Sequence, residues 1–317
     1  MEELLAAVIL LDSETALQRW SGRGAQAWLL DNIRRIDPAL ARKLHETSGK
    51  SNRRPYTVSV MPSQAVSYLE RQSGESGTDK NESVGNPRAP DVFHGLSEPS
   101  GSDNTHYRNK SILRVTSLSA DLTAALGENV FPNIRTEGVI WLNGVEAQVK
   151  SIQTDEHPWS GNSSFEGLAQ KTLISPEISD QMHDTLAWEF ATPTAFHQNG
   201  LTMPLPLPGL VFGSLIQAWD HFSPLPLPVV LGSFVEQNVG ISRHRLATRL
   251  VKFGSKEQHI GFVGTTDYRI VPEHSELPSS DFVQRVRLLA MLSQFAFFAG
   301  VGIRTTVGMG QTRVNIY

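Results

Sequence analysis

The chain has 317 residues, of which 39% are hydrophobic, and a formal net charge of −4. This length suits one large domain or two ordinary ones, and the apolar content can supply a core. A net charge of this sign does not by itself indicate a nucleic-acid partner. Cysteine is absent, which excludes disulfides, thiol nucleophiles and cysteine-ligated metals. The opening MEELLAAVILLDSE carries acids where a signal peptide carries basic residues, so we expect a cytoplasmic protein with no membrane partner.

Strand-like and helix-like runs alternate along the chain in two rounds. In the first round, LAAVILL predicts a strand and GAQAWLLDNIRRI a helix. DPALARKLHE predicts a second helix, with Asp37 as N-cap, Pro38 at the first helical position and Gly49 as C-cap. RPYTVSVM and SILRVTSL predict strands, and SADLTAALGE predicts a helix. EGVIWLNGVEAQVKSI predicts a hairpin that turns at Asn143-Gly144.

Residues 70–108 interrupt the first round. This segment is rich in Ser, Gly, Asn, Asp, Glu and Pro and has few residues that could form a core. Such a composition predicts a loop or a disordered segment. Because strands continue after it, we interpret it as an insertion within a domain.

The second round is more regular. TLAWEFATPTAF predicts a strand, GLVFGSLIQAWDHF a helix, and ISRHRLATRLVKFG and QHIGFVGTTDYRIV a pair of strands. A long core helix over 281–299 follows, with Asp281 as N-cap and Gln284 three residues on, and QTRVNI predicts the last strand. The order β-α-β-β-α-β is that of a ferredoxin-like domain, and the first round fits it less cleanly. We therefore predict an α+β fold of two tandem ferredoxin-like domains, residues 1–165 and 166–317.

Two similar proline-rich stretches, PLPLPGLVFGSL and PLPLPVVLGSF, flank the helix at the start of the second round. One interpretation is a PxxP ligand for a peptide-binding module. The other, which we favour, is a pair of extended loops on either side of one helix.

A glycine-rich loop lies within AGVGIRTTVGMGQTRV, residues 299–314. The chain has no Gly-Lys-Ser/Thr, and the loop follows a helix and precedes a strand, so neither a Walker loop nor a dinucleotide fingerprint fits. Two interpretations remain. The loop is either a backbone cradle for phosphates or sugars, or a tight connection in which glycine supplies positive φ. The residues that would form the cradle are Gly300, Gly302, Arg304, Thr305, Gly308 and Gly310.

Positive charge is concentrated in two places. Residues 19–54 hold nine basic and three acidic residues, and residues 243–256 hold five basic residues and no acid. Within the second cluster Arg243, Arg245 and Arg249 recur at alternate spacing, which places them on one face of a strand. A basic face on a sheet is typical of an RNA or phosphate track, although a solvated outer face would show the same pattern.

Among the ten histidines no spacing indicates a metal site, but the context of His45 is unusual. His45 closes the helix that begins at Asp37, and Lys50, Arg53 and Arg54 follow it. A helix C-terminus favours the protonated imidazole, whereas neighbouring cations oppose it, and this balance can hold a histidine near neutral pH. Such a group suits attack of an RNA 2′-hydroxyl on the adjacent phosphate. The alternative is a helix-end histidine satisfied by carbonyl groups.

Several of these stretches together resemble one known family. RGAQAWLLDNIRRIDPALARKLHE, RRPYTVSVM, EFATPTAF, LPLPGLVFGSLIQAWDHF, QHIGFVGTTDYRI and LAMLSQFAFFAGVGIRTTVGMGQTRV are similar to CRISPR-associated endoribonucleases of the repeat-associated mysterious protein (RAMP) superfamily, nearest to its cyanobacterial branch. The resemblance covers most of the chain except residues 70–108, and the glycine-rich motif is its most specific part. It implies tandem RAMP- or RRM-like ferredoxin domains. It also implies metal-independent cleavage of precursor CRISPR RNA beside a repeat hairpin, with 5′-hydroxyl and 2′,3′-cyclic phosphate ends, to make guide RNA for antiviral defence.

The resemblance also assigns residues. His45 matches the family's histidine and Lys50 a basic residue that assists it in some members. Some members have a tyrosine on the first helix, where this chain has none, and we expect Arg53 to assist instead. Arg304 stands where many members have lysine. The residues expected to bind RNA are Arg23, Arg54, Arg243, Arg245, Arg249, Gly300, Gly302, Arg304, Thr305, Gly308 and Gly310.

The implied partner is a repeat RNA hairpin, and no cofactor is expected. The sequence leaves open the cognate repeat, the CRISPR subtype, the oligomeric state and association with other Cas subunits. A non-catalytic RAMP-type RNA-binding subunit of an effector complex is the alternative function.

Overall fold

A computed structural model describes residues 2–17, 22–45, 53–62, 109–173, 185–253, 257–272 and 279–316 of the protein. Three predicted features lie outside the described residues: the insertion over 70–108, the helix cap Gly49 and the assisting residue Lys50. Within the described ranges, no helix is long and apolar enough to cross a membrane.

The described residues of the first domain form a mixture of helices and strands. In chain order they are β1 (Leu4–Ser13), α1 (Gly22–Ile36), α2 (Pro38–His45), β2 (Tyr56–Pro62), β3 (Asn109–Leu118), α3 (Ala120–Ala125), a π-helical turn (Leu126–Val130), α4 (Phe131–Glu137), β4 (Val139–Leu142), β5 (Val145–Gln153) and β6 (Gly161–Ser163). The backbone amides of Ala39 and Leu40 both donate to the Asp37 carboxylate at 2.9 Å, which confirms the predicted N-cap of α2. The β4–β5 hairpin turns at Asn143 (φ 52°) and Gly144 (φ 80°), as predicted.

The sheet of this domain has the order β2-β3-β1-β5-β4, with β6 also paired to β1. Its pairings are antiparallel, and β1 lies between β3 and β5. This is the ferredoxin-like order, with the β4–β5 hairpin taking the place of the fourth strand.

Successive residues of β1 face two different cores, because side chains alternate across a strand. Leu5, Ala7 and Ile9 pack under the helices of the first domain. Leu4 and Ala6 belong instead to the core of the second domain. The two domains are therefore packed together through the central strand of the first.

The second domain repeats the pattern. Its elements are α5 (Phe165–Leu173), β7 (Thr185–Thr194), β8 (Phe196–Gln198), β9 (Leu201–Met203), α6 (Pro208–Phe222), α7 (Leu231–Asn238), β10 (Val239–Lys252), β11 (Gln258–Ile270), α8 (Ser280–Ala299), a 3-10 turn (Thr305–Val307) and β12 (Thr312–Ile316). The sheet order β10-β11-β7-β12 is again ferredoxin-like, which confirms the predicted α+β fold of two such domains. The prolines that begin the two proline-rich stretches lie in non-helical segments, 204–207 and 224–230, on either side of α6, as the loop interpretation predicted. The remaining residues of the two stretches belong to α6 and α7.

From Leu288 onward, helix α8 is buried on nearly all sides. Its apolar residues pack against α5, α6 and the second sheet, and Phe297 also stacks on Trp159 of the first domain at 6.2 Å between ring centroids. A helix that is hydrophobic all round is typical of a core position. Its predicted N-cap was wrong: the side chain of Ser279, not Asp281, accepts from the backbone amide of Phe282. Asp281 lies in the first turn of the helix, where the positive end of the helix dipole stabilises a carboxylate.

A buried arginine joins the domains. Arg114 of β3 is 0% exposed. Its guanidinium donates to the carbonyl oxygens of Trp159 (2.9 Å) and Phe297 (2.6 Å) and to Oε1 of Gln311 (2.5 Å). The amide nitrogen of Gln311 donates in turn to Oγ1 of Thr57, at 3.0 Å. We call Arg114, Gln311 and Thr57 the buried polar seam.

Candidate RNA-binding and catalytic site

His45 is the last residue of α2, and its side chain is exposed. The carbonyl of His45 belongs to the helix end, which has no intrahelical donor. A guanidinium nitrogen of Arg54 donates to that carbonyl at 3.3 Å. A cation on the last carbonyls of a helix complements the helix dipole, so Arg54 fixes the backbone that carries His45.

Two residues that the sequence did not single out extend this contact. The other guanidinium nitrogen of Arg54 donates to the Tyr56 hydroxyl at 3.4 Å, and the side-chain amide of Gln26 donates to the same hydroxyl at 3.0 Å. Tyr56 is 0% exposed, so it positions Arg54 and is not in reach of a substrate. Some members of the family have a tyrosine on the first helix, whereas here Tyr56 of β2 contacts that helix through Gln26. Its position directly after Arg53, Arg54 and Pro55 was the available signal.

Arg53 links the same region to the second domain. Its guanidinium donates to Oε1 of Gln217 on α6 at 3.2 Å. Burial lowers the pKa of Arg53, because its surroundings disfavour the charged form. A partly desolvated guanidinium interacts more strongly with a phosphate than one in bulk water.

The glycine-rich loop lies between the domains and is shaped by its glycines. Gly300, Gly302, Gly308 and Gly310 have φ values of 64°, 79°, 103° and 74°, a region that favours glycine. A Cβ on Gly302 would lie 2.3 Å from the carbonyl oxygen of Ala195, and one on Gly310 would lie 2.1 Å from that of Val301. The tight-connection interpretation thus accounts for these glycines.

The amides of the loop are largely engaged within the protein. Those of Gly300, Gly302 and Gly310 donate to the Ala296 carbonyl, the Ser214 hydroxyl and the Pro193 carbonyl. On the other side, the Ser59 hydroxyl of β2 donates to the Gly308 carbonyl at 3.1 Å. The cradle interpretation is accordingly carried by the tip of the loop, where Arg304 is exposed and Thr305 is half-buried.

Arg304 itself has a left-handed backbone, with φ 60° and ψ 28°. The other described non-glycine residues with positive φ are asparagines, Asn143 and Asn199. Asparagine tolerates this region in turns, whereas a long side chain there is strained, and such strain is typical of functional positions.

That guanidinium meets Arg23, at the start of α1, on a shared carboxylate. Both arginines form ion pairs with Glu257, and Nε2 of His259 lies 2.9 Å from Oε1 of the same residue. Both guanidiniums also lie 5.9 Å from the ring centroid of Phe253. The hydrogen bond with His259, together with the charges of Arg304 and Arg23, lowers the pKa of Glu257 despite a smaller opposing effect of burial. We call these five residues the Glu257 cluster.

The predicted basic face is present on β10. Arg243, Arg245 and Arg249 lie at alternate positions of one uninterrupted pairing with β11 and therefore project from the same face. The same alternation continues to Val251, which packs with Val307 of the glycine-rich loop. The basic face thus runs along the strand toward the Glu257 cluster.

The predicted residues form two groups, and each group contacts helix α1. Arg54 and the His45 backbone connect through Tyr56 to Gln26, and Arg304 connects through Glu257 to Arg23. Arg23 and Gln26 are three residues apart on α1, so they lie on neighbouring turns of one face. In the part of the chain that the structure describes, no three His, Asp or Glu side chains are grouped as metal ligands.

Comparison with known proteins relates this chain to one protein family. The model of a family described as CRISPR-associated endoribonuclease Cas6 matches residues 188–312. That range extends from β7 to the first residue of β12 and contains the basic strand and the glycine-rich loop. Over these residues the second domain is similar to the Cas6 family. The resemblance to these endoribonucleases is thereby confirmed, while the closeness to a cyanobacterial branch stays a prediction.

Two curated relatives agree with this assignment. They are Cas6 endoribonucleases from the CDC 1551 and H37Rv strains of Mycobacterium tuberculosis, each 32% identical over 175 residues. The match covers 55% of this chain and 49% of each relative, so the chain spans about half the length of the curated relatives it matches.

Solved Cas6 structures resemble the whole chain. One product complex is 21% identical with a TM-score of 0.67, and the match covers 98% of this chain and 99% of the other. A product complex of Thermus thermophilus Cas6 is 24% identical with a TM-score of 0.67, covering 99% and 100%. At these identities the likeness establishes the fold, and it includes the first domain, which the family model does not reach.

Proposed function

We propose that the protein is an endoribonuclease that cuts precursor CRISPR RNA within its repeats. The observation that carries the proposal is His45 at an exposed helix end, held by Arg54 and close in sequence to Arg53, whose guanidinium reaches Gln217 of the second domain. The match of residues 188–312 to the Cas6 family model supports RNA as the substrate. We place the domain boundary at residue 165, where the chain passes from β6, paired with β1, into α5, packed on α8.

The reaction we propose is transesterification without a metal ion. The 2′-hydroxyl attacks the adjacent phosphorus, a P–O2′ bond forms, and the P–O5′ bond breaks. A base takes the 2′ proton and an acid protonates the leaving 5′ oxygen, which yields 2′,3′-cyclic phosphate and 5′-hydroxyl ends. His45 supplies one of these proton transfers, and Lys50 and Arg53 stabilise the charge that develops on the phosphorane.

RNA is held by the cations around this site. Lysine and arginine contacts to phosphates supply most of the affinity of proteins for nucleic-acid backbones. We assign this role to Arg23, Arg54, Arg304 and Thr305, and to Arg243, Arg245 and Arg249 on β10, with Gly300, Gly302, Gly308 and Gly310 shaping the loop. The proposal includes a repeat hairpin as partner, a cytoplasmic location and no cofactor.

Single-turnover cleavage of a labelled cognate repeat tests the role of His45. His45→Ala should cut roughly 10²- to 10⁴-fold more slowly and bind the RNA as tightly as the wild type, because it removes proton transfer and no phosphate contact. His197→Ala, at an exposed histidine of the β8–β9 hairpin, is the matched control and should cut normally. Wild-type rates for His45→Ala would exclude the assignment.

Two further arms test the chemistry. Cleavage should persist in EDTA, and a 2′-deoxy nucleotide at the cut site should abolish it. Loss of cleavage in EDTA would instead indicate a metal ion, and cleavage of the deoxy substrate would rule out attack by the 2′-hydroxyl.

A non-catalytic RAMP-type RNA-binding subunit is the second candidate. It is favoured by the basic face of β10 and the paired Arg23 and Arg304, since backbone phosphates alone would satisfy these groups. Binding of the repeat by the wild type without a discrete cut would support this function over the first.

A further inference from the structure

The Glu257 cluster combines features of a phosphate-binding site with an acid at its centre. Arg23 comes from the first domain, and Arg304 and His259 come from the second. Two arginines that converge on two carboxylate oxygens have the geometry with which guanidiniums bind phosphate. A carboxylate and a phosphate present similar pairs of anionic oxygens to such a site.

Glu257 is also exceptional in the local sequence. It is the only acid between Arg243 and Thr266, a stretch that contains the whole basic face of β10. The backbone amide of Phe253 donates to the Glu257 carbonyl at 2.8 Å, which fixes the start of β11 against the end of β10. The carboxylate therefore lies where the basic face reaches the glycine-rich loop.

The arginines also have contacts that do not involve Glu257. Each guanidinium also packs at 5.9 Å on the ring of Phe253, a distance at which cation–π attraction is significant. The backbone of Arg304 is held in its left-handed conformation by the buried glycine-rich loop, and Gly22, next to Arg23, packs against the Val307 carbonyl. The cationic site would thus persist if the carboxylate moved away.

The ion pairs themselves are accessible to water. The side chains of Arg23, Arg304 and Glu257 are 54%, 40% and 29% exposed. Exposed ion pairs contribute little net stability and exchange partners readily. A polyanion arriving along β10 can therefore compete for both arginines.

We propose that Glu257 is an internal substitute for an RNA phosphate: it pairs Arg23 with Arg304 in the RNA-free protein and is displaced when a backbone phosphate binds between them. The inference rests on the RNA-binding part of the proposed function and not on cleavage. It makes Glu257 a regulator of affinity, because each binding event must first separate it from the arginines.

Glu257→Gln tests the inference directly. Removing the competing charge should raise the affinity for a fluorescent oligouridylate of ten nucleotides roughly three- to tenfold at low salt, and should steepen the dependence of log K on log salt by up to about 0.7. Glu236→Gln is the matched control, because it makes the same charge change at the opposite end of the β10–β11 hairpin and should leave affinity unchanged. Adding Arg304→Gln or Arg23→Gln to Glu257→Gln should cancel the gain.

Three results would overturn the proposal. One is equal affinity of the Glu257→Gln and Glu236→Gln variants. Another is a lower affinity of Glu257→Gln together with a lower unfolding midpoint, which would make the cluster a structural link between domains. The third is an absence of oligouridylate binding in every variant. Because oligouridylate has no repeat sequence and is assayed without cleavage, a gain here with no cutting of the cognate repeat would contradict the proposed endoribonuclease and leave this inference intact.

Discussion

The buried polar seam and the Glu257 cluster both join the first domain to the second through arginine, but water reaches only one of them. Arg114 is 0% exposed and donates to neutral oxygens, whereas Arg23 and Arg304 are half exposed and share a carboxylate. Burial lowers the pKa of Arg114 to about 9, which still leaves it charged at pH 7. Its desolvation is offset by hydrogen bonds and by the rings of Phe297 and Trp159 at 4.5 and 5.5 Å.

This difference in exposure predicts that the buried polar seam contributes to stability and the Glu257 cluster to RNA binding. A buried group with several partners is costly to remove, because each partner loses its hydrogen bond in a site that water cannot reach. An exposed ion pair is worth about 0–1 kcal/mol, so its residues can serve a ligand without a large effect on folding. Substitutions in the seam should therefore change stability, and substitutions in the cluster should change affinity.

The largest expected effect is that of Arg114→Leu. It leaves the carbonyls of Trp159 and Phe297 and the amide oxygen of Gln311 without their donor, and we expect a loss of roughly 3–5 kcal/mol in the free energy of unfolding. Urea denaturation measures it. Arg304→Gln is the comparison variant and should lose less than about 0.5 kcal/mol. Similar losses in the two variants would remove the distinction between seam and cluster.

Gly310→Ala should have the next largest effect. The added Cβ would lie 2.1 Å from the Val301 carbonyl oxygen at a φ of 74°, beside Gln311 of the seam. We expect a destabilisation of about 2–3 kcal/mol by thermal or urea unfolding. Gly213→Ala, in α6 where an added Cβ meets nothing within 4 Å, is the control and should be neutral or slightly stabilising.

Arg304→Gly should separate stability from binding in a single variant. Glycine relieves the left-handed strain at φ 60° and should raise the unfolding free energy by up to about 1 kcal/mol. The same change removes a guanidinium from the cluster and should weaken RNA binding at low salt, measured by fluorescence anisotropy. Lower stability together with unchanged RNA affinity would contradict both halves of this prediction.

The smallest expected effect is on the stability of the protein at acidic pH. The pKa of Glu257 is lowered in the folded protein, chiefly by His259 and then by the two arginines, so its contribution to stability is present at neutral pH. That contribution is lost as the pH falls below the usual glutamate value and through the lowered one. Glu257→Gln should therefore lose slightly less stability than the wild type between neutral pH and about pH 3. A steeper acid loss in the variant would contradict the ion pairing.

Much of the fold was predictable because its signals are local. Alternating runs such as RPYTVSVM fix strands, Asp37-Pro38 fixes a helix start, and Asn143-Gly144 fixes a hairpin. The start of α8 was misassigned because Ser279 and Asp281 are both good capping residues within three positions. Only the hydrogen bond from the Phe282 amide to Ser279 distinguishes them.

The site was less predictable because its contacts are distant in sequence. His45 and the basic face were recognised from local context, but Arg23 lies 234 residues from Glu257 and Arg114 lies 197 residues from Gln311. Alternation in SILRVTSL shows that Arg114 faces away from its neighbours and does not reveal what covers that face. Glu257 is the only acid between Arg243 and Thr266, but nothing in the sequence shows that two arginines converge on it.

The two-sided burial of β1 has a consequence for the time course of synthesis. Leu4 and Ala6 pack into a core that includes residues of α8, and α8 leaves the ribosome long after β1. At about 5–20 residues per second, that interval is roughly 15 to 60 seconds. During it the nascent first domain presents an uncovered apolar strand face, and a chaperone that binds such faces would determine the yield of folded protein.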